Sequence, residues 1–348
     1  MDSHALPHDE APVLPATATA TTETAPAVAR EPWHFHLPSL AALGPFLALV
    51  AACLFFALQS DRFFTAQNFA LIAQQVMVVG LLAIGQTLII LTAGIDLSCG
   101  MVMALGGIVM TKLAVDSGLP TGLAIACGLG VTTLFGVANG LLVTRIKLPS
   151  FIVTLGTMNI AFALTQLYSS SQTVTGLPDA LTALGNTFAL GGTQVSIGVV
   201  LMLALYGLAW LALRETAPGR HVYAVGNNSE AARLTGISVK AVLMGVYALA
   251  GLMYGIAALL SVARTGVGDP NAGGTENLDA ITAVVLGGTS LFGGRGVILG
   301  SLIGALIVGV FRNGLTLMGV SSIYQVLVTG VLVILAVAAD QLSRRGSR

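Results

Sequence analysis

The stretch FFTAQNFALIAQQVMVVGLLAIGQTLIILTAGI, Phe63 to Ile95, runs without a single Asp, Glu, Lys or Arg. A membrane-spanning helix needs about 20 consecutive apolar residues, because the hydrocarbon core of a bilayer is about 30 Å thick. The whole chain of 348 residues is 55% hydrophobic and only 9% charged, against about 25% charged residues in soluble domains. We therefore predict a membrane protein built from spanning helices.

Charged residues divide the rest of the chain into further apolar runs, and the number of runs predicts the number of spans. They cover 32–60, 63–95, 97–111, 117–144, 148–178, 180–213, 241–263, 280–294, 296–311 and 313–339. This pattern predicts an all-α, polytopic membrane helical bundle of about ten transmembrane helices. The runs 280–294 and 296–311 are short and glycine-rich, so two shortened helices and one broken element both remain open.

The two ends of the chain differ from this apolar body. Residues 1–38 are rich in Ala, Pro and Thr and contain Arg30 as their only basic residue, a composition typical of a disordered tail. We expect this tail in the cytoplasm, followed by a transmembrane domain at 39–340 and a basic cytoplasmic tail at 341–348. Spans 2–5 and 7–10 carry weakly similar segments, and an inverted repeat is the hypothesis they raise.

The distribution of basic residues predicts which loops face the cytoplasm, where short loops carry an excess of Lys and Arg. With both termini inside, eleven basic residues fall on the cytoplasmic side, and four fall outside: Arg62, Lys112, Arg264 and Arg312. The stretch AVGNNSEAARLTGIS, Ala224 to Ser238, therefore lies in the longest inner loop, 214–239.

This stretch predicts a short exposed helix. Asn227 and Glu230 have the spacing of a capping box, and Gly236 provides a left-handed stop before Ile237. Ala231 and Leu234 share one side of the helix. Because a helix of about eight residues is marginal in water, it needs a docking surface, either on its own bundle or on another protein.

Asp96 is the one acid flanked by two long apolar runs. A charge inserted in a membrane costs about 2.5–3.5 kcal/mol on insertion scales, so Asp96 is either a proton or substrate site or the cap of the helix that follows. Asp279 has the same two interpretations. The other polar side chains in the spans are candidates for the translocation pathway or for helix–helix hydrogen bonds: Gln74, Gln75, Gln86, Asn139, Thr157, Asn159 and Gln166.

The absence of certain sequence motifs argues against several classes of function. A P-loop needs GxxxxGK[ST], whereas the three lysines follow Thr, Ile and Val, so no ATP site is expected. The GVGD at 266–269 imitates an intramembrane aspartyl protease, but its aspartate precedes Pro270 in a predicted loop. The 15 basic and 15 acidic residues cancel, so we expect no nucleic-acid partner, and no catalytic residue, metal or cofactor in this chain.

Four motifs together resemble the permease subunits of bacterial ATP-binding-cassette (ABC) sugar importers of the ribose type. They are AGIDLSCG, LPSFIVTLGTMN, RHVYAVGNNSEAARLTGISV and LDAITAVVLGGTSLFGGRGVILGSLIGAL, in this order within about residues 40–340. The sequence departs from the family pattern at Ala93 and Asn227, where glycine is common. It also departs at Cys99, where valine is common, and at Asn277, where an acid often precedes Leu-Asp.

The resemblance implies a permease that translocates a monosaccharide, with a pentose such as ribose favoured, across a bacterial inner membrane. Its partners would be a second permease copy, a cytoplasmic ATPase that holds ATP and Mg, a periplasmic sugar-binding protein and the lipid bilayer. The loop helix would couple to the ATPase through Asn227, Asn228, Ser229, Glu230, Ala231, Arg233, Leu234 and Gly236.

Three other functions remain open at this point. An ABC permease for another small cargo, such as a branched-chain amino acid or a furanosyl signal molecule, is the nearest. A proton-coupled secondary transporter would depend on Asp96, and a passive channel would need no partner protein.

Overall fold

The computed structural model of the protein describes residues 40–346. The predicted tail at 1–38 and the last two residues of the predicted tail at 341–348 lie outside the described residues. The helices are α1 Leu40–Gln59, α2 Ala66–Leu91, α3 Cys99–Val115, α4 Thr121–Leu141, α5 Ser150–Ser169, α6 Asp179–Thr182, α7 Ile197–Glu215, α8 Ala217–Asn227, α9 Ser229–Leu234, α10 Val239–Thr265, α11 Glu276–Leu286, α12 Ile298–Leu317 and α13 Ser322–Gly346. A π-helical segment, Leu142–Ile146, continues α4, and a 3-10 turn, Ala183–Gly185, follows α6.

Six of these helices are long and apolar enough to cross a membrane: α2, α4 with its π-helical end, α5, α7, α10 and α12. Shorter apolar segments occur in α1, α3 and α13. The helix α11 has 11 residues and is therefore about 16 Å long, about half the thickness of the hydrocarbon core. The membrane helical bundle is confirmed, whereas the count of about ten spans is not.

The charge-free run 280–294 does not form a span of its own. Its helix, α11, begins earlier at Glu276 and ends at Leu286. Gly288, Gly293 and Gly294 then adopt φ values of 84°, 80° and 70°, a left-handed conformation that a right-handed helix cannot continue. The region therefore contains two separate helices, the half-length helix α11 and the full-length helix α12. A glycine-rich loop at 287–297 connects them.

The run 180–213 also differs from the predicted single span, and it adds a short β-hairpin to the otherwise helical bundle. After α6 and the 3-10 turn, the chain forms a two-stranded antiparallel hairpin of β1, Thr187–Leu190, and β2, Thr193–Ser196. Gly191 and Gly192 connect the strands with φ values of 56° and 82°, as a two-residue hairpin turn requires. Only after Ser196, whose hydroxyl accepts a hydrogen bond from the Gly198 N–H, does α7 begin.

The core of the bundle surrounds α2, which contacts α7, α10, α11 and α12. Small residues let the helix backbones approach closely. A Cβ on Gly136 of α4 would lie 2.2 Å from the Tyr247 carbonyl oxygen, and one on Gly251 of α10 would lie 2.5 Å from the Thr132 carbonyl oxygen. Gly136 and Gly251 therefore allow α4 and α10 to pack closely.

Two ends of the bundle can be distinguished by what α7 connects. The helix begins after the β1–β2 hairpin and ends before α8 and α9. Because α7 has 19 residues and rises about 28 Å, these features lie at opposite ends. We refer to them as the hairpin face and the α9 face.

Candidate functional site

The α9 face carries the short helix predicted in the loop 214–239. The helix α9 spans Ser229–Leu234 and is six residues long. It rests on the rest of the chain through Ala232, which is buried, while Ala231 and Leu234 are exposed. The Leu234 side chain is 73% exposed. The apolar pair that the sequence places on one side of the helix therefore points away from the chain's own bundle.

The cap of α9 is one residue later than predicted. Asn228, not Asn227, is the N-cap: its Oδ1 accepts hydrogen bonds from the N–H groups of Glu230 at 3.1 Å and Ala231 at 3.0 Å. Asn227 instead ends α8, a helix that the sequence reading did not predict. Glu230 does not complete a capping box, because its carboxylate pairs with Arg233 Nη2 at 2.6 Å.

The other features of α9 match the prediction. Gly236 has a φ of 87°, and the Ile237 N–H donates to the Ala232 carbonyl at 3.1 Å, so the left-handed stop is confirmed. The guanidinium of Arg233 lowers the pKa of Glu230, first through its hydrogen bond and then through its charge. The exposed surface of α9 thus presents Ala231 and Leu234 beside the Glu230–Arg233 ion pair.

A junction of glycine backbones joins α9 to the bundle. The Gly294 N–H donates to the Leu91 carbonyl at the end of α2 at 2.9 Å. A Cβ on Gly226, at the end of α8, would lie 1.7 Å from that same carbonyl oxygen and 2.7 Å from the Gly294 nitrogen. The Tyr223 hydroxyl on α8 donates to the Gly296 carbonyl at 3.0 Å. Movement of α8 and α9 would therefore be transmitted to both α2 and the loop before α12.

Residues 92–98, which we name the central segment, connect α2 to α3 without helical structure and lie among several helices. Ala93 has a φ of 62°, which is a strained value for a residue with a Cβ. The Ile95 and Leu97 N–H groups donate to Ser150 Oγ and Thr154 Oγ1 of α5, both at 3.1 Å. Side chains therefore supply the hydrogen bonds that an unwound backbone lacks inside a membrane.

Asp96 is the centre of the polar contacts around this segment. Its Oδ1 accepts from the Ser98 N–H at 2.7 Å and from the Ser98 hydroxyl at 2.6 Å, and its Oδ2 accepts from the Tyr254 hydroxyl at 3.1 Å. Gln86 Nε2 donates to the Asp96 carbonyl, and Asn139 Nδ2 donates to Ser98 Oγ at 3.2 Å. The network thus joins α2, α4 and α10 to the start of α3.

The cap interpretation of Asp96 needs a correction of one detail. The N-cap of α3 is Ser98, whose own side chain caps no N–H of the helix, and Asp96 satisfies the N–H of that N-cap residue. Asp279 is not an N-cap either: it lies in the first turn of α11 and forms an ion pair with Arg312 Nη2 at 2.6 Å. Both carboxylates are 1% exposed. Asp96 accepts hydrogen bonds, whereas Asp279 is held by its ion pair, and its Oδ1 has no hydrogen-bond partner among the described residues.

Two cavities toward the hairpin face share the residues Arg264, Thr275 and Glu276. One, of about 320 Å³, lies between α3, α10 and the loop before α11, and its polar lining includes Asp269 and Asn271. The other, of about 380 Å³, is lined by residues of α2, α11, α12 and α13. A charged, partly open region therefore reaches the start of α11 from two sides.

The structure groups some of the predicted pathway residues and separates others. Gln86, Asp96 and Asn139 belong to the central network. Gln75 lines the 380 Å³ cavity, whereas Gln74 lines a cavity of about 270 Å³ beside the hairpin.

The three predicted residues of α5 are not brought together. Thr157 is buried and bonds its own helix at the Thr154 carbonyl. Asn159 is exposed and bonds the Leu155 carbonyl, and Gln166 donates to Asn271 Oδ1 at 3.1 Å.

Several residues of these sites were not predicted. Tyr254 and Ser98 hold the Asp96 carboxylate, and Asn277 Nδ2 donates to the Leu97 carbonyl at 3.3 Å. Arg312 and Arg264 were used only to predict which loops lie on the outer side of the membrane. Their positions at the ends of charge-free runs could have marked them as candidate site residues, since ionisable residues near a membrane span are functional candidates.

Comparison with known proteins gives a consistent result. Residues 68–337 match the family described as branched-chain amino acid transport system / permease component. The fructose import permease protein of Rhizobium meliloti is 45% identical over 90% of this chain and 88% of its own length. The ribose import permease protein of Bacillus subtilis is 40% identical over 86% and 92%, and the xylose transport system permease protein of Escherichia coli is 33% identical over 86% and 91%. No solved structure matches the chain.

Proposed function

Because the chain belongs to the family of branched-chain amino acid transport system permease components, we propose that it is the membrane-spanning subunit of an ATP-driven importer for a monosaccharide. The relatives named for sugars cover at least 85% of the chain, which favours a sugar over the amino acid in the family's description. The chain performs no bond chemistry. Its task is alternating access, in which partner proteins shift the population of conformations.

The observation that carries this proposal is the outward orientation of Leu234 and Ala231 on a helix capped at both ends. A separate ATPase subunit, which holds ATP and Mg, docks on this exposed side of α9. The glycine junction then passes the movement to α2 and to the central segment through the close contact of Gly226, Leu91 and Gly294. In this arrangement the α9 face is cytoplasmic, as are both termini. Two copies of the chain form the translocation unit.

The hydrogen-bond pattern of Asp96 supports a structural role for its side chain. The Ser98 N–H and the hydroxyls of Ser98 and Tyr254 all bond its two side-chain oxygens. Because a hydroxyl can donate or accept, the pattern fits both protonation states, and the Asp96→Asn variant separates the structural role from a proton site. Asn139 Oδ1 is a buried oxygen for which the described residues offer no hydrogen-bond partner. This network is therefore incompletely satisfied, as expected of contacts that rearrange during alternating access.

The next question is which monosaccharide the importer carries. The sequence reading favours a pentose such as ribose, and that remains a prediction. Identity is 45% to the fructose permease and 36% to 40% to the ribose permeases, so we propose fructose as the first sugar to test. In importers of this type a periplasmic sugar-binding protein selects the cargo.

The test is transport by the reconstituted system. The chain is placed in liposomes with a candidate ATPase and a candidate binding protein from the same organism, and uptake of labelled fructose, ribose and leucine is measured with and without ATP. We expect ATP-dependent uptake of one sugar, none of leucine, and no flux through the chain alone. Sugar flux through the isolated chain without ATP would instead indicate a carrier or channel.

A further inference from the structure

An apolar groove lies between α7 and α10 and ends at α8. Its volume is about 470 Å³, and all its lining residues except Thr216 and His221 are apolar. Leu205 and Ala209 of α7 form one wall, Val242 and Gly245 of α10 form the other, and Leu88 of α2 lies between them. Among the described residues, a Cβ on Gly245 would meet no atom within 4 Å, so the space is open at this height.

The length of the groove matches one leaflet of a bilayer. Along α7 it extends from Leu205 to Thr216, which corresponds to about 16 Å at 1.5 Å per residue. Half of the hydrocarbon core is about 15 Å. Water would find almost no hydrogen-bond partners on these walls, whereas an acyl chain would pack against them.

Two basic residues lie next to the lining residues at the α8 end of the groove. Arg220 lies between the lining residues Gly219 and His221, and Lys240 directly precedes the lining residue Ala241 on the opposite wall. Both basic residues are exposed. The acid of this rim, Glu215, is paired with Arg214 at 3.2 Å, so the rim has a net positive charge.

We propose that this groove binds one anionic phospholipid, with an acyl chain between α7 and α10 and its phosphate held by Arg220 and Lys240. Basic pockets between spanning helices are the chemistry that recognises anionic headgroups. The proposal is independent of the cargo and of the ATPase. The lipid would stabilise the packing of α8 against the bundle, and α8 in turn positions α9.

The protein contains a reporter for this site. Trp210 lies on α7 between the lining residues Ala209 and Ala212, and the other tryptophan of the chain is Trp33. The full chain carrying Trp33→Phe is reconstituted in phosphatidylcholine vesicles that contain a small, equal fraction of brominated phosphatidylglycerol or brominated phosphatidylcholine. We expect stronger quenching of Trp210 fluorescence by the brominated phosphatidylglycerol.

Two variants and their matched controls locate the site. Gly245→Leu fills the groove and should abolish the excess quenching, whereas Gly207→Leu, also at an open position on α7, should not. Arg220→Gln with Lys240→Gln should lower the relative affinity for the anionic lipid roughly 30-fold, on the order of fivefold for each basic side chain. Arg145→Gln, an exposed basic residue at the end of α4, is the control.

Several outcomes would overturn the proposal. Equal quenching by the two brominated lipids in the Trp33→Phe chain would show that no selective site exists. Excess quenching that survives in both Gly245→Leu and the double rim variant would place the lipid elsewhere. Loss of a dimer in Gly245→Leu, measured by light scattering in detergent, together with equal quenching in the parent chain, would assign the groove to a second permease copy.

Discussion

The Tyr254 hydroxyl of α10 donates a hydrogen bond of 3.1 Å to Asp96 Oδ2. The two residues are 158 positions apart in the chain, and both are 1% exposed. The bond ties the longest described helix to the central segment between α2 and α3. Its stability contribution can be measured against a second buried tyrosine, since the Tyr206 hydroxyl on α7 donates to the Gly80 carbonyl of α2 at 2.9 Å.

Tyr254→Phe should destabilise the protein more than Tyr206→Phe. Hydrogen bonds between membrane helices contribute about 0.6 kcal/mol on average, and a bond to an ionised acceptor is roughly twice as strong as a neutral one. We expect a loss of about 0.6 kcal/mol for Tyr206→Phe and about twice that for Tyr254→Phe. Thermal unfolding of both variants in the same detergent measures the difference. Equal losses would mean that Asp96 is not an ionised acceptor.

Asp96→Asn should retain most sugar uptake. Its side-chain oxygen can still accept from the Ser98 N–H, and its amide can donate to the Tyr254 oxygen. Asp96→Ala removes these partners and should fail, because the Ser98 and Tyr254 donors are left buried and unpaired. Uptake per assembled complex is the measurement. Loss of uptake in the asparagine variant, with normal expression and assembly, would support a proton site instead.

Leu234→Glu and Ala231→Glu should uncouple the permease from its ATPase. A charge placed on the apolar side of α9 would be desolvated without a partner in the docked complex. We expect co-purification of the ATPase to fall while the folded bundle is unchanged. Leu190→Glu, a 59% exposed position on the hairpin face, is the matched control. Unaltered co-purification and full uptake in both α9 variants would show that this surface is not the docking site.

Gly226→Ala should disturb the glycine junction. A Cβ at this position would lie 1.7 Å from the Leu91 carbonyl oxygen, so α8 must move away from α2. Thermal stability should fall by about 1–3 kcal/mol, as in an overpacked core, and ATP-driven uptake should fall with it. Gly207→Ala has open space around its Cβ and should be neutral or stabilising by up to about 1 kcal/mol. If Gly226→Ala had the thermal stability of the wild type, the backbones at the junction would be able to move apart without a loss of stability.

The regions where the sequence prediction succeeded share a local physical cause. The apolar runs that become α2, α4, α5, α7, α10 and α12 are predictable because transfer of a helix into lipid depends on its own composition. The stop at Gly236 is predictable in the same way, because its φ of 87° suits glycine for steric reasons within the residue. The four motifs indicated the permease family, because they reflect shared ancestry, and the family match over residues 68–337 confirms it.

The regions where it failed depend on residues distant in the chain. The glycines of 287–297 predicted a break in the helix, but the sequence did not show whether the residues before it form a full span or half a span. The left-handed φ values of the glycines in this loop and the packing of α11 against α12 decided this. Asn227 and Asn228 are equivalent as cap residues in sequence. Only the continuation of α8 to Asn227, where Gly226 meets Leu91 and Gly294, makes Asn228 the cap.

The sequence by itself determined that this protein resides in a membrane, where most of its helices lie and to which family it belongs. Hydrophobicity, steric preference and ancestry can each be read from short segments of the chain. The tertiary structure alone decided that Asp96 is held by Tyr254 and Ser98, that α11 crosses half of the bundle, and that Leu234 faces outward while Ala232 is buried. These properties arise from contacts between helices far apart in the chain. Such contacts depend on which faces meet when the bundle assembles, and no single segment contains that information.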